Sequence, residues 1–292
     1  MAKAAGVRID EKRIASHIRR WLANPMDPDR RKIEAIDKGA FKAMGRGWEA
    51  WRAVTQRPVE GLIAVTSLSP NPRHQVRQPV CVDSWRRTGL RVVSVNTSEE
   101  AARLRELYPE VEFVERNDQG CFYTKPTQLV NNMAEMAILF ESAVLLINSD
   151  IEIYGDQEVL TRIAGAKRCA IGIRHNYEGS PGDARQEPWG LDAIILHPEH
   201  AKMLDRVPYS IGRPFWDYWL PWALMNRGVE MDWIGAPYFY HQTHELNWSQ
   251  GDWIIGSQWF EYRYGAVIDW VEWRESLPFP PSGATKPQIK QA

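Results

Sequence analysis

Ala143-Val144-Leu145-Leu146-Ile147-Asn148-Ser149-Asp150-Ile151-Glu152-Ile153 decides how this chain is read. Its first five residues are apolar without alternation, the pattern of a strand buried on both faces. Such strands build open α/β sheets, in which ligands gather outside the carboxyl ends of the strands. Asn148, Ser149 and Asp150 fall at that end. Asp150 and Glu152 stand two residues apart, so an extended backbone puts both carboxylates on one face. Carboxylates that close repel each other, and a divalent cation relieves the repulsion; oxygen ligands suit Mg2+ or Mn2+. A D-x-E triplet alone also describes an exposed acidic turn. Its place directly after a buried strand favours a site.

Outward from this stretch, strand and helix patterns alternate. Gly61–Thr66 is a short apolar strand followed by the loop Ser67-Leu68-Ser69-Pro70-Asn71-Pro72. A helix is expected over 75–88, a strand over 90–96, a helix over 98–107, a strand over 111–114 and a helix over 127–140. Downstream, 169–173 and 191–196 read as strands and 198–204 as a short helix. A helix over 215–226 should be kinked or restarted by Pro221, and late strands are expected over 229–234 and 238–241. The alternation predicts an α/β domain over 58–277, with a mainly parallel central sheet and helices on both faces. Residues 1–57 read as a basic helical extension, with Ile14, Ile18, Trp21 and Leu22 along one face. Residues 278–292 hold four prolines and read as a loose tail.

Composition narrows the classes. The 292 residues carry 36 Lys+Arg against 37 Asp+Glu. Residues 1–60 hold 14 basic and 8 acidic side chains, or +6, and the remainder 22 and 29, or −7. The whole chain is therefore not a generic polyanion binder, although its basic end suits local phosphate contacts. A mean hydropathy of −0.45 and no apolar run near 18 residues argue against a membrane span. Charges throughout residues 1–20 point to a cytoplasmic protein. Cys81, Cys121 and Cys169 lie far apart, outside any CxxC pair, which disfavours structural zinc or a disulfide framework. Nine of the 14 Trp fall between Trp216 and Trp273. Such rings fill a core, form a platform or make an interface, and composition does not choose among these.

Two later constellations add chemistry. In Gly212-Arg213-Pro214-Phe215-Trp216-Asp217-Tyr218-Trp219, Gly212 and Pro214 shape a loop and Asp217 stands near a helix start. There it serves as a cap or points into a cleft as a base, with Arg213 available to pair with it or with phosphate. In Tyr240-His241-Gln242-Thr243-His244-Glu245 the histidines are three apart and face opposite ways in a regular strand. At most one is expected to bind a metal unless the chain turns.

As an ordered set, these segments resemble the GT-A-type glycosyltransferases over about residues 60–250. Leu146-Ile147-Asn148-Ser149-Asp150-Ile151-Glu152 is similar to the family's acidic metal-motif strand, with Glu152 in place of the commoner final Asp. Gly190–Leu196 is similar to the stretch preceding the acceptor half of some such enzymes. The resemblance implies a GT-A-like single domain that moves a sugar from a nucleoside diphosphate sugar to a hydroxyl acceptor with Mn2+ or Mg2+. It implies donor contacts from Thr66, Ser67, Arg73, Lys125, Asn148 and Asp150, and metal ligation by Asp150, Glu152 and a histidine, His241 or His244. Asp217 would act on the acceptor, with Arg213 assisting the leaving diphosphate and Trp216, Tyr218 and Trp219 lining the acceptor side.

The acceptor class stays open among glycans, lipid-linked sugars and small metabolites. A hydroxymethylated pyrimidine base in DNA is a further candidate, to which the basic N-terminal segment would contribute phosphate contacts. A nucleotidyltransferase is an alternative, but the loop 66–72 lacks the glycines and basic residues that would favour it. A non-catalytic nucleotide-sugar or carbohydrate-binding protein is another. The chain has no G-x-G-x-x-G and no P-loop motif.

Overall fold

The computed structural model describes residues 61–120, 127–154, 161, 168–187, 189–244, 248–265 and 268–277. The expected extension over 1–57, the tail over 278–292 and Lys125 lie outside them.

Strand β1 (Ile63–Thr66) is followed by α1 (Gln78–Arg87), β2 (Arg91–Asn96), α2 (Ser98–Leu104) and β3 (Glu112–Glu115). A small hairpin, β4 (Gln119–Gly120) with β5 (Thr127–Gln128), precedes α3 (Val130–Phe140), β6 (Val144–Ile147) and β7 (Ile151–Ile153). Then come β8 (Cys169–Tyr177), β9 (Arg185–Gln186), β10 (Ala193–Leu196), α4 (Pro198–Ala201) and α5 (Trp216–Met225). β11 (Met231–Gln242), α6 (Gln250–Tyr264) and α7 (Trp270–Ser276) complete the described elements.

The central sheet has nine strands in the order β3-β2-β1-β6-β10-β8-β11-β7, with β9 paired to β8. Strands β3, β2, β1 and β6 are parallel, as their crossover helices require. β10 enters antiparallel between β6 and β8, β11 runs parallel to β8, and β7 caps the edge antiparallel to β11. Every side chain of β1 and β6 is buried, because helices cover both faces. Ile63, Val65, Val144 and Leu146 pack toward α3, α5 and α6. Ala64, Leu145 and Ile147 pack toward Cys81, Val82 and Trp85 of α1. The α/β class, the mainly parallel central sheet and the helices on both faces are thus as expected.

Several boundaries moved. Thr127 and Gln128 form a strand, and the helix begins only at Val130 because Leu129 is extended. One helix runs through Pro221 without a restart. The two late strands are one, with a register irregularity between Ile234 and Phe239. Helices α6 and α7 were not anticipated, since apolar and polar side chains mix around their surfaces.

A three-residue link bends the sheet. β7 follows β6 after Asn148, Ser149 and Asp150, yet β10, β8 and β11 separate the two strands in the pairing order. Four strand spacings in a flat sheet amount to about 19 Å, whereas four backbone steps reach about 14 Å. The far half therefore curls until β7 lies against α1, where Trp85 Nε1 donates to the Ile151 carbonyl (2.7 Å) and the Ile153 N–H to Ser84 Oγ (2.9 Å). The irregularity in β11 supplies the local bend, and Phe239, just after it, lies across Gly172 of β8. A Cβ on Gly172 would stand 2.2 Å from the Phe239 ring. Gly172→Ala is expected to lower stability by about 1–3 kcal/mol, read from urea unfolding; unchanged stability would show that the bend does not need this close approach.

Candidate active site at the carboxyl ends of the strands

The link that bends the sheet also carries the site. Asn148 binds both ways at the end of β6. Its Nδ2 donates to Asp192 Oδ1 (2.6 Å), and its Oδ1 accepts from the Gly212 N–H (3.1 Å). It thereby ties the strand end to the start of β10 and to the loop that leads into α5. Asp192, 5% exposed, accepts a second charge-assisted bond from Arg174 Nη1 of β8 (2.5 Å). Arg174 is half-buried with Asp192, Glu187, Asp150 and Asp217 in electrostatic reach, and these groups hold its guanidinium protonated against the effect of burial.

Asp150 sits in the turn before β7, closed by a hydrogen bond from the Ile151 N–H to the Asn148 carbonyl (3.2 Å). Its Oδ2 is 3.1 Å from His244 Nε2 and 3.6 Å from His241 Nε2, and the two Nε2 atoms are 3.1 Å apart. Burial pushes the Asp150 carboxyl up, but the imidazoles of His241 and His244 outweigh it and hold the group well below its usual range. These three residues form a cluster that could hold a metal ion. The separations fit one: ligand atoms at about 2.1 Å from an ion and at right angles stand about 3 Å apart. Two imidazoles and one carboxylate make a donor set suited to Mn2+ or a later transition ion more than to Mg2+.

The structure arranges this motif differently from its spacing in two respects. First, both histidines reach the same point, because β11 ends at Gln242 and the chain turns before His244. Second, Glu152 is not in the cluster. Glu152 lies opposite Tyr240 across β7 and β11, while His241 lies opposite Ile151; the pleat sends the two to opposite sides of the sheet. Asp150 escapes this alternation because it belongs to the turn. Glu152 is 2% exposed, and its oxygens accept from the hydroxyls of Tyr154 (2.5 Å) and Tyr177.

Asp217 lies in the first turn of α5, half-buried. Burial first, and then the negative charge of Asp192, raise its carboxyl well above the usual carboxylate range, against the opposing effects of its own N–H, Arg174 and the Tyr218 N–H. Such a group is a stronger base when ionised. Trp216, Tyr218 and Trp219, read as an acceptor lining, are core side chains exposed by 1%, 3% and 0%. They pack with Phe215, Trp253, Trp259 and Trp270, so most of the regional tryptophan excess is interior.

Thr66 is fully buried at the end of β1, and its hydroxyl has no hydrogen-bond partner. Ser67 is half-buried, Arg73 is exposed and Arg213 is buried. Every N–H from 68 to 73 is already engaged: Leu68 on Ser94 Oγ, Ser69 on Gln78 Oε1, Asn71 on Ser69 Oγ and Arg73 on Asn71 Oδ1, with prolines at 70 and 72. Sequence reasoning assigned no role to Arg174, Asp192, Arg77 or Tyr177. The signal for the first pair was a charge breaking the run 169–173 at its end and another opening the apolar run 193–196.

No family model and no curated protein matches the chain. Among solved structures, the chain is similar to the inositol-1-phosphate CTP transferase from T. maritima, with 11% identity, 73% of this chain and 100% of that one covered, and a TM-score of 0.42. It is similar to a mannosyltransferase from Pyrobaculum calidifontis in complex with GDP-Man and Mn2+, with 13% identity, coverage of 86% and 77%, and a TM-score of 0.40. A third is the 4-diphosphocytidyl-2C-methyl-D-erythritol synthase from Anaerococcus prevotii, with 9% identity, coverage of 68% and 95%, and a TM-score of 0.38.

The Arg174–Asp192 pair offers a test of the site's construction. Arg174→Met strands an enclosed carboxylate and is expected to cost about 2–3 kcal/mol in urea unfolding, the low side of a buried pair because 23% of the Arg174 side chain is exposed. Adding Asp192→Asn should recover much of that loss. Additive losses would show that the two charges do not depend on each other.

Proposed function

We propose that this chain is a metal-dependent glycosyltransferase that moves a sugar from a nucleoside diphosphate sugar to a hydroxyl acceptor. The observation that carries the proposal is the convergence of Asp150, His241 and His244 at the carboxyl end of the sheet, with Asp150 and the raised carboxyl of Asp217 both in electrostatic reach of Arg174. A divalent ion held by those three residues would neutralise the charge that grows on the leaving diphosphate. Arg174, protonated and shared among four carboxylates, holds Asp192 in place and limits the repulsion among Asp150, Asp192 and Asp217. Asp217 accepts the proton of the attacking hydroxyl and orients its oxygen.

Nucleotidyl transfer is the competing reading. It asks the loop after the first strand to cradle a triphosphate with free backbone N–H groups. Here those groups from 68 to 73 are consumed by side chains, which supports sugar transfer instead. The direct test is to incubate the full chain with Mn2+ and a panel of nucleotide sugars and to measure nucleoside diphosphate release. Asp150→Asn and His244→Asn should each abolish it. Pyrophosphate release from a nucleoside triphosphate and a sugar phosphate, without turnover of any nucleotide sugar, would establish the competing reaction.

Two further outcomes are expected. Chelation should stop turnover, and Mn2+ should restore it more fully than Mg2+, because two of the three ligands are imidazoles; equal restoration by Mg2+ would argue against the histidine ligands. The pH profile follows from Asp217. The base works ionised, so the rate should rise as pH climbs through a pKa above the ordinary carboxylate range. Asp217→Asn should remove that limb and lower the rate by about 100-fold or more.

A further inference from the structure

The second carboxylate of the motif is too well enclosed to be a surface charge and too far round the sheet to join the cluster. We propose that Glu152 is a positioning residue: with Tyr177, Arg77 and Gln242 it fixes the turn that presents His241 and His244. The proposal rests on the metal reading above.

Alternation across three strands places the parts. Glu152 lies opposite Tyr240, and Gln242, two residues on, lies opposite Tyr177 of β8. Glu152, Tyr240, Gln242 and Tyr177 therefore share one side of the sheet, and His241 the other. On the shared side, Glu152 Oε1 takes the Tyr177 hydroxyl and stands 3.9 Å from Arg77 Nη1. Arg77, just before α1, donates through Nη2 to Gln242 Oε1. Gln242 Nε2 donates in turn to the Glu178 carbonyl (3.3 Å). The next residue, Thr243, is held by its N–H (2.8 Å) and its hydroxyl (3.1 Å), both to the Tyr177 carbonyl.

Gln242 and Thr243 are the two residues between the histidines. Gln242 is thus tied to Arg77 and Glu178, and Thr243 to Tyr177, while the carboxylate of Glu152 anchors Tyr177 and Arg77. The neighbouring Gln78 Nε2 donates to Ser149 Oγ (3.1 Å), so the start of α1 also braces the residue before Asp150. The network holds both halves of the cluster from outside. Outer contacts of this kind set ligand orientation, and their loss typically weakens metal binding by about 10–100-fold.

The experiment is Mn2+ binding to the full chain, by calorimetry and by the electron resonance of free Mn2+, in folded variants checked by thermal unfolding. Asp150→Asn should lower affinity by more than 100-fold. Glu152→Gln, Tyr177→Phe and Arg77→Met should each lower it by about 10-fold, and the double variant Glu152→Gln/Arg77→Met should be no worse than either single. Spin-echo modulation of bound Mn2+ should count two imidazole nitrogens in the wild type and fewer in Tyr177→Phe, a change that general loosening of the fold would not produce. If Glu152→Gln loses Mn2+ as fully as Asp150→Asn while Tyr177→Phe and Arg77→Met bind normally, Glu152 is a ligand and the proposal is wrong. It is equally wrong if all three network variants bind like the wild type. Should Glu152→Gln not fold, Tyr177→Phe and Arg77→Met decide alone. Failure of the wild type to bind Mn2+ would instead remove the metal reading, and this proposal with it.

Discussion

Three residues, Asn148 to Asp150, join a central strand to the edge strand on the far side of the same sheet. That link is shorter than the flat sheet is wide, so the fold must bend around it. The bend makes the candidate site, because it brings the turn before β7 and the end of β11 round to the end of β6, where β10 already starts through its direct pairing with β6. Asn148 secures the junction with both ends of its amide, one toward Asp192 and one toward Gly212. The same residue therefore ties the end of β6 to the start of β10 and registers the loop that leads to Asp217.

Placing Asp150, Asp192 and Asp217 at one end of a sheet is unfavourable without compensation. Arg174 provides part of it, as a charge-assisted partner for Asp192 and a longer-range one for the other two. The compensation is uneven. Asp192 has a direct guanidinium partner. Asp150 has two imidazoles, which keep it ionised. Asp217 has neither within hydrogen-bonding distance and carries the raised pKa. Of the three, the carboxyl with least direct compensation is the one best suited to take a proton.

The sequence revealed the strands more readily than the side of the sheet each residue would occupy. Val144 to Ile147 reads as a buried strand because a helix-covered sheet needs apolar residues on both faces, and that requirement is local. The fate of Glu152 is not local. Spacing alone put it on the face of Asp150, but Asp150 belongs to a turn, and the side Glu152 occupies is set by its pairing with Tyr240, almost 90 residues on. The joint arrival of His241 and His244 likewise depends on where β11 stops. That end is marked by Gln242 and Thr243, whose partners, Arg77 and Tyr177, come from distant strands and loops. The Asp192–Arg174 pair was hidden for the same reason.

The concentration of tryptophan in 216–273 also acquires a physical purpose. α5 has no side-chain cap, and it starts from Phe215, whose φ of 84° is a left-handed conformation that a bulky side chain adopts at a cost of about 1–3 kcal/mol. Something must hold it there. The Phe215 ring packs against Trp253 (4.8 Å between centroids), Trp270 (5.1 Å) and Tyr209 (5.7 Å), and Gly256 leaves room for its Cβ. Ring contacts of this kind contribute about 0.5–1.5 kcal/mol each beyond area burial, enough in sum to offset the strain. Asp217 follows two residues later. The aromatic cluster therefore serves the candidate site from beneath, by fixing the strained start of the helix that carries Asp217.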